Sequence, residues 1–270
     1  MANYSGYTQW LNGQVVTEAD RQQLAMLNTG HFTALQSRDG RVKGWNIHLN
    51  RLENASQQLF GIGIDKEAIT SQVRSILRDQ LSCSLRIHIF STAADLLHVT
   101  PRDLQVLIIH AAPVNTENQE AISISTATYE RFLPEVKHAG ISIAALYHKR
   151  QARLKGFDDV LYTNAAGDIL EGSIWNIVFY NGQEFVFSAA QALNGTMQQM
   201  IIQGLQQLNI PYRVTTINQQ ELHLFQAAFI INSIHVARPV SRIDEVIFHS
   251  DSNIAAILSD AYAQTHWERL

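Results

Sequence analysis

Five lysines are spread over the 270 residues, and one stands apart. Lys43, Lys66, Lys149 and Lys155 fall in a turn, at a helix start or in a basic helix, where an ammonium group reaches water. Lys137 lies in Pro134-Glu135-Val136-Lys137-His138-Ala139-Gly140, ahead of a helix. Taken alone it reads as a surface lysine, because lysine is rarely buried. Its other chemistry is nucleophilic. An amine kept neutral part of the time, by burial or nearby positive charge, attacks carbonyl carbon. A second group with chemical potential lies on the alternating segment 85–90. There Arg86 and His88 face away from Leu85, Ile87 and Ile89. That face is either solvated or the lining of a polar pocket.

Other chemistries lack their residues. The 11 histidines form no HExxH pair, and a lone cysteine, Cys83, supports neither a disulfide nor a CxxC zinc site. Cys83 reads as a small core residue. No Walker loop and no GxSxG elbow occur. Gly61-Ile62-Gly63 is half a dinucleotide fingerprint and follows a helix instead of a strand. Hydrolase and zinc-enzyme readings therefore have no support, the half fingerprint is weak ground for nucleotide binding, and no metal is expected.

These residues need a frame. With 46% hydrophobic and 16% charged residues, the chain has the composition of a packed globular protein. The net charge of -4 gives no basic face for nucleic acid. No apolar run approaches the ~18–20 residues of a spanning helix, and the first residues do not resemble a signal peptide. A protein without membrane or nucleic-acid partners, in a reducing cytoplasm, is expected.

Strand patterns are read at 32–36, 85–90 and 104–110, and helices at 48–60 and 66–80. The polar stretch after Pro113 is the best linker. Beyond it come strands at 122–128, 159–163, 169–172, 176–180, 185–187, 213–216 and 228–232. Helices are read at about 143–154, 196–208 and 253–264. Asn181-Gly182 marks a hairpin. The expected organisation is an N-terminal α/β domain (1–112), a linker (113–121) and a C-terminal α+β domain (122–270) carrying Lys137.

From Lys137 to Tyr180 the chain resembles the class IV (fold type IV) aminotransferases. This pyridoxal-phosphate family includes branched-chain and D-amino acid aminotransferases and 4-amino-4-deoxychorismate lyase. The features are ordered: a lysine, a helix rich in Arg and Ala, Gly-Phe-Asp-Asp and a strand, a Gly-Asp turn, Glu171-Gly172, and Asn176 opening an apolar strand. Glu171 follows Lys137 by 34 positions, the kind of separation the family has between its lysine and its pyridine-nitrogen glutamate. His48-Leu49-Asn50-Arg51-Leu52 looks like the family's H-x-x-R-L segment. Leu193-Asn194-Gly195-Thr196-Met197 looks like its glycine turn, and 229–240 like the strand–turn before a Pro-Val pair. The resemblance covers about residues 28–245.

It implies a two-domain fold type IV enzyme, α/β plus α+β, with the cofactor cleft between the domains. Lys137 would form the Schiff base with pyridoxal 5'-phosphate and carry the proton during the reaction. Glu171 would pair with the protonated pyridine nitrogen. Arg51, Ser233 and the start of a helix at Gly195, Thr196 and Met197 would hold the phosphate, through a guanidinium fork, a hydroxyl and backbone amides. Phe32 matches a site where family members put Tyr or Phe beside the substrate, and Arg86, His88 and Ile234 are weaker substrate contacts. Trp45 and Trp175 read as core. A homodimer is implied as well.

Two reactions fit. One is transfer of an amino group between an amino acid or amine and a 2-oxo acid. The other is release of pyruvate from 4-amino-4-deoxychorismate to give 4-aminobenzoate. Lys137-His138 and Asn194-Gly195 lean towards the lyase. The absence of an S/T-R-G turn after Ile89-Phe90-Ser91-Thr92 leans away from it, and aminotransferase is favoured. A binding protein that kept the fold and lost catalysis is the third reading, opposed by the presence of both Lys137 and Glu171.

Overall fold

A computed structural model describes residues 7–25, 29–114, 120–249 and 251–270. The chain divides into two compact units. The first comprises residues 1–115, 136–140 and 266–270, and the second comprises 116–135 and 141–265. Most of the expected linker, 115–119, lies outside the described residues.

In the first unit the strands are β1 (Tyr7–Leu11), β2 (Gln14–Val15), β3 (His31–Ser37), β4 (Val42–Lys43), β5 (Cys83–Ser91) and β6 (Leu104–Ala111). The helices are α1 (Glu18–Leu24), α2 (Trp45–Phe60) and α3 (Lys66–Asp79). Five strands form an antiparallel sheet in the order β2-β1-β6-β5-β3, which leaves β3 at an edge. Alternation decides which side is buried. Leu85, Ile87 and Ile89 of β5 pack into one cluster with Leu49 and Leu52 of α2 and Ile69, Val73, Ile76 and Leu77 of α3. Cys83 and Trp45 belong to the same cluster, as core residues. Asp65 caps α3 by accepting from the Ala68 N–H at 2.9 Å.

The second unit carries β7 (Ile122–Thr128), β8 (Asp159–Thr163), β9 (Ile169–Gly172), β10 (Asn176–Tyr180), β11 (Phe185–Ser188), β12 (Tyr212–Thr215), β13 (Ala227–Ile231), β14 (Arg238–Ile243) and β15 (Val246–Ile247). Its helices are α4 (Ile141–Leu154), α5 (Thr196–Gln207) and α6 (Ser252–Ala263), with a 3-10 turn at Gln219–Leu224. The sheet runs β12-β11-β10-β13-β14-β7-β8-β9, with β15 paired to β14. Both faces are buried. Ile177 and Phe179 of β10 join Trp175, Leu161 and Ile230 on one side. Val178 of the same strand joins Phe185, Phe187, Met197, Ile201 and Leu258 under α5 and α6 on the other. The two helices touch closely: a Cβ on Gly204 would lie 1.8 Å from the Ala261 carbonyl oxygen.

Lys137 belongs to the first unit, not to the C-terminal domain to which the sequence assigned it. The reason is a pairing that local pattern does not reveal. The Phe32 N–H donates to the Lys137 carbonyl (2.9 Å), the Ala139 N–H donates to the Gly30 carbonyl (2.9 Å), and His31 and His138 form an antiparallel bridge. Residues 137–139 thus continue the sheet beyond edge strand β3. Gly30 lies tight against β5 at the start of this pairing. Its φ is +126°, and a Cβ there would sit 2.5 Å from the Ile89 carbonyl. The last residues also return to the first unit. A strand β16 (Trp267–Glu268) pairs with β4, and the Trp45 N–H donates to Glu268 Oε1 at 3.0 Å.

Candidate active site

In the first unit, Phe32 is the centre of a polar group. It is buried on β3 and opposite His88 of β5 in register. The two rings stack at 5.0 Å with an interplanar angle of 19°. The Arg86 guanidinium carbon is 5.0 Å from the Phe32 ring centroid, and Lys137 Nζ is 5.1 Å from it. Four residues singled out in the sequence, from three separate segments, are therefore gathered at one aromatic ring. Arg86 is exposed, while Lys137 and His88 are half-buried. Burial, reinforced by the Arg86 charge, pushes the His88 imidazole down to about 4, so it is neutral at physiological pH.

Arg51 is half-buried on α2, one turn after His48. His48 is buried beneath it, shares a 2.7 Å hydrogen bond with Thr33 Oγ1, and has a pKa lowered to about 3 by burial and then by the Arg51 charge. His31 is similar, with a 2.8 Å hydrogen bond to Ser56 Oγ and a pKa lowered to about 3 by burial and then by His88. The β3–α2 contact is therefore built on neutral imidazoles, and Arg51 stands at its margin as the cation.

In the second unit, Glu171 is buried on β9 and ion-paired with Arg131, Nη1 to Oε1 at 2.6 Å. Arg131 Nη2 donates to the Pro134 carbonyl at 3.0 Å, three residues before Lys137. The guanidinium thus ties the glutamate strand to the segment leading to the lysine. Buried Tyr162 lies in the field of both charges. Its hydroxyl has no hydrogen-bond partner among the described residues, and burial pushes its pKa up. Trp175 covers Gly172, where a Cβ would meet the indole at 2.2 Å.

The Gly195 turn is set by Asn176. Asn176 Nδ2 donates to the Leu193 carbonyl at 2.9 Å, and its Oδ1 lies where a Cβ on Gly195 would be 2.0 Å away. Gly195 opens α5 with no side-chain cap. Thr196 and Met197 are buried in the first turn, and the positive end of the helix faces the turn. Ser233 and Ile234 lie in the bend between β13 and β14, both half-buried. Asn232 Oδ1 shapes that bend by accepting from the N–H groups of Ile234 (2.9 Å) and His235 (2.8 Å).

The family model for amino-transferase class IV matches residues 30–243. The chain belongs to that family. A probable branched-chain-amino-acid aminotransferase of Rickettsia felis is 21% identical over 94% of both chains. Among solved structures, the T.th. branched-chain amino acid aminotransferase with pyridoxamine 5'-phosphate superposes with a TM-score of 0.83 at 17% identity, covering 96% of this chain and 94% of that one. The Escherichia coli branched-chain amino acid aminotransferase gives 0.81 at 18% identity, with 96% and 93% covered. A provisional 4-amino-4-deoxychorismate lyase of Legionella pneumophila gives 0.78 at 19%, with 92% and 94% covered. The fold is the two-domain class IV fold that these structures share. No helix among the described residues is long and apolar enough to cross a membrane.

Sequence reading of this aminotransferase-family chain missed Arg131 and the anchoring role of Asn176. Arg131 sits in Tyr129-Glu130-Arg131-Phe132-Leu133-Pro134, where no period or motif marks it, and arginine defaults to the surface. Asn176 was visible as an asparagine opening an otherwise apolar strand. A polar group in that place needs a buried partner, and this was the available signal.

Proposed function

We propose that this chain is a pyridoxal 5'-phosphate-dependent aminotransferase that moves an amino group between an amino acid or amine and a 2-oxo acid. The observation that carries the proposal is the setting of Lys137: an amine held by strand pairing beside Phe32, Arg86 and His88. A surface lysine needs no such frame. The family and the pyridoxamine-phosphate-bound structural relative support the cofactor.

The residues fit the group. Its phosphate would be held by Arg51, Ser233 and the amides of Thr196 and Met197, with Gly195 allowing close approach. The uncapped start of α5 supports this, because its amides are available to an anion. Glu171, ion-paired and buried, would accept the hydrogen bond of the ring nitrogen, and Arg131 fixes its position. When bound, the cofactor supplies an electron sink for the carbon that loses its proton. Lys137 would attach the cofactor, then hold and return that proton at Nζ. Phe32 and Ile234 would wall the substrate, and Arg86 would take its carboxylate in place of the arginine missing after β5.

Lyase action on 4-amino-4-deoxychorismate is the second reading, favoured by the Asn194-Gly195-x-Met197 turn. A homodimer is proposed as well. On α4 the large side chains Ile143, Leu146, Tyr147 and Leu154 are exposed, whereas Ala145 and Ala152 face inward, a pattern that suits cover by another chain. The buried lone cysteine suits a reducing cytoplasm.

The test is borohydride reduction of the cofactor-loaded protein followed by peptide mapping. A pyridoxyl group on Lys137, absent from Lys137→Ala, is expected. In a separate, unreduced sample, cofactor absorbance should change with an amino donor and recover with a 2-oxo acid. Pyruvate release from aminodeoxychorismate without amino transfer would instead establish the lyase. Full turnover by Lys137→Ala would refute the assignment.

A further inference from the structure

His88 is the one member of the Phe32 group that the reaction as described does not use. It occupies the same face of β5 as Arg86, and its ring lies flat against Phe32. Its Nε2 is buried and has no hydrogen-bond partner among the described residues. The two fully buried histidines of this unit each have a side-chain partner, His31 Nε2 with Ser56 Oγ and His48 Nδ1 with Thr33 Oγ1, although His31 Nδ1 is likewise buried without one among the described residues. An imidazole nitrogen withdrawn from water without a partner is a standing cost, and a leucine of similar size would fill the position without it. The cost is recovered if a substrate atom supplies the missing partner.

We infer that His88 sets the substrate class: the non-reacting end of the amino donor carries a hydrogen-bonding group, a carboxylate, amide or hydroxyl, that pairs with His88 beside Arg86. The inference rests on the Lys137 reading above. Lys137 Nζ, the Arg86 guanidinium and the His88 ring all lie about 5 Å from the Phe32 ring centroid, so a donor reacting at Lys137 with its carboxylate on Arg86 lies against the ring that His88 stacks on, and its remaining end meets His88. A branched aliphatic end group brings no partner there and leaves Nε2 orphaned while excluding water. Sites built to hydrogen-bond a substrate reject analogues that lack the group far more strongly than apolar pockets reject a missing methylene. The imidazole is neutral, so it can present a donor or an acceptor according to its tautomer. That accommodates a hydroxyl or amide as readily as a carboxylate. This chain is thus set apart from the branched-chain enzymes it superposes on.

The experiment uses the cofactor-loaded protein. Amino transfer is measured from both enantiomers of glutamate, glutamine and homoserine, and of leucine, isoleucine and valine. Wild type, His88→Leu and His88→Gln are compared. Wild type is expected to prefer its best polar donor over its best aliphatic donor by tenfold or more in kcat/KM. His88→Leu should lose at least tenfold on the polar donor and hold or gain on the aliphatic ones. His88→Gln should keep the polar preference. A wild-type preference for the aliphatic donors, or turnover of no polar donor, overturns the inference. So does an equal loss on both classes in a folded His88→Leu. If His88→Leu does not fold, the wild-type panel decides alone. Borohydride labelling of Lys137 is scored separately, so failure of the inference and failure of the underlying reading are distinguishable.

Discussion

Lowering the pH from 7 to 5 should weaken the first unit through two histidines that take no part in the chemistry. His31 and His48 are 1% and 2% exposed. Both have pKa values lowered from 6.5 to about 3, with burial the main cause. The sign follows from linkage. A base whose folded pKa is depressed is neutral in both states above 6.5, so nothing is lost there. As the pH falls from 6.5 towards 3, the unfolded chain takes up a proton that the folded chain refuses, and stability drops throughout that window. At pH 5 the unfolded value lies 1.5 units above the solution pH, and at 1.36 kcal/mol per unit each histidine costs about 2 kcal/mol. Together they cost about 4 kcal/mol, a large part of the ~5–15 kcal/mol that holds an ordinary domain folded.

The slope is a sharper observable than the loss. Nearly two protons are taken up on unfolding at pH 5, about 2.6 kcal/mol per pH unit. His88 is lowered to about 4 and His110, His148 and His235 are also lowered, so two protons are a floor. Hydrogen-bonded carboxylates such as Asp158 act below their ordinary value of 3.8, outside this window. Urea unfolding followed by tryptophan fluorescence at several pH values between 7 and 5 gives the slope. His48→Gln keeps an amide near Thr33 and removes one titrating group, so it should lower the slope by about one proton. Equal stability at pH 7 and 5, or an unchanged slope in His48→Gln, would refute the reasoning.

Three further outcomes follow from contacts in and around the candidate site. Arg131→Met removes the 2.6 Å ion pair from buried Glu171 and should destabilise the protein by about 3–5 kcal/mol in urea titrations, with activity lost at the same time. Gly195→Ala puts a Cβ against Asn176 Oδ1. On the proposed phosphate role of this turn, it should raise the Kd for cofactor by about tenfold or more, since a shift of the turn would remove one or two charge-assisted hydrogen bonds, and equilibrium dialysis measures this directly. Cys83 is fully buried, and its pKa is pushed up to about 11 by that burial. A thiol reagent at pH 7 should modify it only as fast as the first unit opens, and rapid labelling of the folded protein would contradict its burial.

Much of the frame was legible because turn chemistry punctuates it. Strands 122–128, 159–163, 169–172 and 176–180 were bounded correctly, and 159–163 and 176–180 are closed by the polar, glycine-containing turns Asn164–Asp168 and Asn181-Gly182. The apolar stripe of α3, Ile69, Val73, Ile76 and Leu77, is buried as its spacing required. The two-residue strands β2, β4, β15 and β16 were not legible, because two residues carry no period. The pairing of 137–139 with β3 was hidden for another reason. It joins residues about a hundred positions apart through backbone atoms, which side-chain patterns do not encode. Spacing and resemblance singled out Phe32, Arg86, His88 and Lys137 separately, and only the fold puts them around one ring. Arg131 was invisible because its significance is a partner, Glu171, 40 residues away.

The discontinuity of the first unit has a consequence for the order in which the molecule is made. The chain leaves that unit after residue 115, returns for 136–140, and returns again for 266–270, where β16 pairs with β4 and Glu268 accepts from the Trp45 N–H. On the ribosome the unit begun first is therefore completed last. While the second unit is being synthesised, β4 waits without its strand partner, and before residue 137 emerges the outer edge of β3 waits as well. Such unpaired edges favour association with other chains during synthesis. Translation past residue 115 does not release a finished domain. It releases a unit that two later segments of the same chain must still complete, one at the edge of β3 and one beside β4.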